Sequence, residues 1–136
     1  MPMSAALSQD VLTYYFTAGS PITRPTAWFV GLHTAAPGRT GSAEVAGGVD
    51  SAYARKAVAM AVTDAEADGI WEAKNTADVV MNAAGAGASY TVTHISIWTA
   101  ATGGTLLGTL QLAVPLPTVS GAINSFAIGD IILQGI

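Results

Sequence analysis

The chain has 136 residues, room for one domain around one core. Hydrophobic types make up 51% and charged types only 10%, against about 25% charged in an ordinary soluble domain, so much of its surface must be apolar, small or uncharged. A net charge of −4 with five basic residues (Arg24, Arg39, Arg55, Lys56 and Lys74) that form no stripe argues against nucleic acid and anionic membranes as partners, and the lack of cysteine excludes disulfides, thiolate metal sites and cysteine nucleophiles.

No apolar run reaches the ~18 residues that span a bilayer, and the N-terminus has no basic segment followed by an apolar stretch and a cleavage site. Synthesis in a cytoplasm is therefore expected. A surface this poor in charge suits a protein that works in contact with others, because exposed apolar patches mark interaction sites.

In chain order, residues 1–19 read as a helical segment. Leu7, Val11, Leu12, Tyr15 and Phe16 recur at helical spacing, with Ser4 or Ser8 as N-cap, which predicts a short amphipathic helix from Ser4 to Phe16. Gly19, Pro21 and Pro25 then close it. Beyond this point short runs rich in Val, Ile, Thr and aromatics alternate with glycine and small polar clusters, the pattern of an all-β domain. Strands are predicted at 26–33, 53–62, 69–74, 77–82, 91–99, 105–114, 122–128 and 130–133. About eight strands with one N-terminal helix predict a β-sandwich or jelly-roll, as a single domain over 1–136.

Residues 34–52 are too long for a tight hairpin and too poor in large apolar types to build a core, so an extended loop reaching a neighbour is expected there. The clearest alternation sets Val92, His94, Ser96 and Trp98 on one face and Thr93, Ile95, Ile97 and Thr99 on the other, with Ile95 and Ile97 facing the core. Trp98 then looks elsewhere, toward a core rim or a subunit contact. Trp28 beside Phe29 places one ring on each face of its strand, so one of them meets something outside the core.

Catalytic and metal chemistry find little support. Asp64, Glu66 and Asp68 with Gly69 imitate the opening of a calcium loop, but the twelfth position is Asn75 where a bidentate glutamate is needed, so an acidic turn is the simpler reading. No G-x-S-x-G elbow is present, and no Gly-rich segment fits a phosphate loop. His33 and His94 sit inside β-runs as structural imidazoles, and neither a catalytic residue nor a cofactor is expected. Exposed tryptophans as sugar-stacking platforms leave a carbohydrate-binding module as a lesser alternative.

The succession Trp28-Phe29-Val30-Gly31-Leu32-His33-Thr34-Ala35-Ala36-Pro37-Gly38, Glu44-Val45-Ala46-Gly47-Gly48, Tyr53-Ala54-Arg55-Lys56-Ala57-Val58, Thr91 to Trp98 and Ala100 to Leu107 resembles a family of small tailed-phage virion proteins, the tail-fibre-like proteins. The resemblance runs from about Thr26 to Leu133, with residues 49–52 as a small insertion. It implies a virion structural role without catalysis. Because the chain shows no stalk or repeat, a capsid cement or decoration protein is the leading expectation, bridging neighbouring major capsid subunits. A tail fibre, tip or adaptor component is the alternative. Self-association as a dimer or trimer is expected, with contacts through Tyr14, Tyr15, Trp28, Arg39, Arg55 and Trp98.

Overall fold

A computed structural model describes residues 4–19, 22–64 and 66–134. Pro21 of the expected helix stop lies outside the described residues. One helix, α1 (Ala5–Phe16), precedes strands β1 (Trp28–His33), β2 (Lys56–Val58), β3 (Met60–Thr63), β4 (Glu72–Asn75), β5 (Val79–Val80), β6 (Ser89–Trp98), β7 (Leu106–Val119), β8 (Ser125–Phe126) and β9 (Ile132–Gln134). All pairings are antiparallel and form three sheets, in the orders β2-β1-β6-β7, β3-β4-β9 and β5-β8. The expectation of a mostly β fold with one short N-terminal helix holds at this level.

The main sheet carries the core. Val30 and Leu32 of β1, Val58 of β2 and Ile95 and Ile97 of β6 point to one face, where Val79, Met81, Phe126 and Ile131 close over them. Ile95 and Ile97 therefore face the core as their alternation predicts. Val92 does not follow that alternation: it is also in the core, because the register against β7 shifts between Val92 and His94 and the extra residues turn the strand over.

Other differences from the sequence pattern have local causes. The run 53–62 divides into β2 and β3, which enter different sheets on either side of Ala59. β7 continues through Pro115 and Pro117 to Val119, since it is an edge strand of its sheet and a missing N–H on the outer side breaks no ladder bond. Asn75 joins the small sheet to the core: its side chain donates to the carbonyls of Ala77 and Ala127 and accepts from the Ile131 N–H, each at 2.9 Å.

Residues 34–52 fold back on their own sheet instead of extending away. The Val45 N–H bonds the Leu32 carbonyl, Glu44 bridges His33, and Val45 enters the core. Farther along, Asp50 accepts from the backbone N–H groups of Ala52 and Gly85 at 2.9 Å and from the Tyr90 hydroxyl at 2.8 Å, which ties this segment to the turn before β6. Burial pushes the Asp50 carboxyl up, but these three donors outweigh it and hold the group below its ordinary range.

The helix is anchored only at its start. Ser4 caps it by accepting from the Leu7 N–H at 3.0 Å, while its hydroxyl donates to the Leu106 carbonyl and its N–H to the Leu107 carbonyl. Thr17 ends it in an extended conformation before Gly19 is reached. The amphipathic reading predicts a buried stripe, yet no residue of α1 is buried.

Candidate functional site

Opposite the core, the main sheet carries a compact polar cluster. Gly31 and His33 of β1 and Ser96 and Trp98 of β6 share this face, and Glu44, Tyr53 and Arg55 approach from the loops beside it. Glu44 Oε1 accepts from the Tyr53 hydroxyl and from Arg55 Nε, both at 2.7 Å, and Oε2 accepts from Arg55 at 2.8 Å, a two-pronged ion pair. Arg55 also donates to the carbonyls of Ala100 and Gly103 at 3.0 and 2.7 Å, which fixes the β6–β7 turn, and its guanidinium stands 3.8 Å from the centre of the Trp98 ring.

The polar chain continues inward. Trp98 Nε1 donates to Ser96 Oγ at 2.7 Å, and Ser96 Oγ lies 2.7 Å from His33 Nε2. His33 Nδ1 lies 2.8 Å from the Ser42 carbonyl, which can only accept, so the proton sits on Nδ1 and Nε2 accepts from the Ser96 hydroxyl. The arrangement satisfies every donor and acceptor it contains. Burial holds the His33 imidazole below its ordinary value, against the opposing pull of the Ser42 bond and Glu44. For Glu44, burial works upward but the Arg55 and Tyr53 bonds prevail and the carboxyl is lowered. Burial and the Glu44 bond together raise the Tyr53 phenol.

Two glycines make room for this cluster. A Cβ at Gly31 would lie 2.7 Å from Ser96 Oγ and 3.1 Å from Glu44 Oε1. Gly41, at φ +88°, would set a Cβ 2.6 Å from the far edge of the Trp98 ring. A glycine in the middle of an apolar strand is the sequence sign of such a close approach, and Gly31 carries it; the glutamate–arginine pairing, which spans eleven residues of loop, has no comparable signal.

The Ser96–His33 end of the cluster is closed to solvent. The Ser96–His33 contact has the geometry of a nucleophile and base, but both residues are 0% exposed and the serine oxygen already accepts from Trp98. His94 bonds its neighbour Thr93. Asp64 caps its own turn by accepting from the Asp68 and Gly69 N–H groups, Asp68 accepts from Ile70, and Glu66 points to solvent. Among the described residues no three His, Asp or Glu side chains gather as a metal site, and no helix is long and apolar enough to cross a membrane.

The residues expected at contacts fall into two groups. Trp98 and Arg55 are inside the polar cluster with their binding capacity used within the chain, and Trp28 is partly buried against the core. Tyr14 and Tyr15 stand in solvent, stacked edge to face at 5.2 Å, and Arg39 reaches from its loop to Ser8 of the helix at 3.0 Å. Of the three tryptophans only Trp71 is exposed.

The chain belongs to the family described as Podophage GP4 fiber I protein gp80, whose profile matches residues 2–134. It is thus a member of a phage tail-fibre-like structural protein family, a component of the virion, in agreement with the resemblance carried by its motifs. No curated protein matches the chain.

Proposed function

We propose that this protein is a non-enzymatic structural subunit of the phage tail, acting in a fibre, tip or adaptor assembly. The observation that carries this reading is the match to a fibre protein over residues 2–134. It favours the tail over the capsid cement role that size and the absence of a stalk suggest, because the family is named for a fibre.

The site geometry supports a role without chemistry. The buried ionisable groups His33 and Asp50 and the half-buried Glu44 each direct hydrogen bonds to the protein's own loops, so they hold shape. The core shared between the four-stranded sheet and the β5–β8 ladder supports reading the fold as a small open sandwich.

Copy number per particle tests the location. Quantitative mass spectrometry of purified virions, with a reconstruction of the same preparation, is expected to find a small number of copies in density at the tail. Hundreds of copies spread over the head would overturn the tail reading in favour of cement.

A further inference from the structure

Among the described residues, the C-terminal half of helix α1 has no partner that buries it. It has 12 residues, none of them buried, and isolated helices shorter than about 12–15 residues are marginal in water. Its first turn holds no acidic residue and its last turn no basic one, so the helix dipole adds no stabilisation from side chains. The anchors, Ser4, Ala5 and Ser8, all lie at the N-terminal end. The C-terminal half presents Tyr14, Tyr15 and Phe16 at 67%, 74% and 80% exposure.

Beside this half runs an apolar groove. Leu7, Val11 and Tyr15 form one wall, Ile22 and Pro25 the other, and Leu107 is part of the same lining. Two charged residues also line it, Asp10 from the helix and Arg24 from the opposite segment. Among the described residues the ion pairs are Arg55–Glu44 and Lys74–Glu72, so neither Asp10 nor Arg24 is engaged in one.

A groove with one unengaged acid on one wall and one unengaged base on the other is complementary to itself. In an isologous contact across this groove, each Asp10 would face Arg24 of the second copy, twice over. The exposed rings supply a large share of the area a dimer needs. A fully buried aromatic side chain hides about 150–250 Å², so the three exposed rings offer on the order of 400 Å², about half of the roughly 800 Å² that each partner gives to a standard interface. Leu12 and the groove walls supply more.

The geometry points to α1 and its groove as a two-fold self-association surface, with the aromatic end of each helix covered by a second copy and two Asp10–Arg24 pairs at the rims. This deepens the reading of the chain as an assembly subunit by naming a second copy as its partner.

Sedimentation velocity of the purified full chain over a wide concentration range tests it. The wild type is expected to show a monomer–dimer equilibrium. Asp10→Arg and Arg24→Asp, each alone, set two like-charge pairs in the dimer and are expected to weaken it about tenfold, less at high salt. An equimolar mixture of the two variants is expected to restore wild-type affinity within about threefold, since every rim contact is again opposite in sign. A wild type that stays monomeric throughout, or folded single variants whose mixture is no tighter than either alone, overturns the inference.

The absence of native cysteine gives a second reading at exposed positions. Asp10→Cys chains mixed with Arg24→Cys chains are expected to oxidise to the mixed disulfide in preference to either like pair, and statistical pairing counts against the two-fold contact. The virion assignment fails separately, by absence of the chain from purified particles, whatever the sedimentation shows.

Discussion

The polar cluster and the N-terminal helix invert the usual distribution of side chains in opposite ways. In the cluster, an arginine, a glutamate, a histidine and a serine are largely removed from water and bonded to one another and to loop carbonyls. On the helix, two tyrosines, a phenylalanine and a leucine stand in water with nothing over them. The first arrangement is complete within one chain, because each buried donor and acceptor finds its partner there. The second is incomplete, because apolar area gains nothing until something covers it. Rigidity is therefore expected of the cluster, and the proposed self-association falls to the helix.

The largest effect is expected from breaking the cluster. Arg55→Ala leaves Glu44 without its counter-ion and frees the β6–β7 turn; because the pair is only partly buried, the loss is expected at about 2–4 kcal/mol, below that of a fully buried pair. Urea unfolding at neutral pH measures it; a loss below about 1 kcal/mol would mean that the pair behaves as a surface salt bridge. Somewhat smaller losses, about 1–3 kcal/mol, are expected for Gly31→Ala and Gly41→Ala, since the added methyl meets Ser96 or Trp98 at well under contact distance. Indole fluorescence is expected to shift in both, because Trp98 must move.

Acid provides a gentler probe. The folded His33 pKa lies below its ordinary 6.5, so the unfolded chain binds more protons as the pH falls past that value. Stability is therefore fully present above about 6.5 and declines on acidification toward the folded pKa, before the lowered carboxylates Glu44 and Asp50 are lost at still lower pH. Unfolding curves from about pH 8 to about pH 5.5 check the sign, and in His33→Asn that decline is expected to disappear.

The smallest effect on the monomer belongs to the helix. Leu12→Ser or Phe16→Ser removes no intrachain contact that packs the core, so stability at high dilution is expected to stay within about 0.5 kcal/mol of wild type. A cooperative loss larger than that would show the helix to be part of the folded core after all, and would remove the contrast between the two regions.

Local pattern carried a good part of this. The helix and its Ser4 cap, the β character of the rest and the inward placement of Ile95 and Ile97 are legible because each depends on periodicity or on one residue's bonding to its own neighbours. Sheet membership is not legible. The run 53–62 has one continuous pattern, yet Ala59 separates strands of two sheets, and Val92 changes face because its partner strand carries extra residues. The cluster was not legible as a unit: His33 reads as a structural imidazole, while Arg55 and Trp98 read as contact residues.

What the sequence alone determined is the inventory: too little charge for a free surface, no cysteine, one capped helix, and short β segments joined by glycine-rich turns. The tertiary structure decided which of the marked residues are available to a partner. Trp98 and Arg55 read as contact residues by type, but the fold brings Glu44, Ser96 and two loop carbonyls within hydrogen-bond reach and uses them inside. Tyr14 and Tyr15 remain exposed because, among the described residues, the segment that runs beside them leaves a groove open. Both outcomes depend on contacts between residues far apart in sequence, and only the folded chain sets those distances.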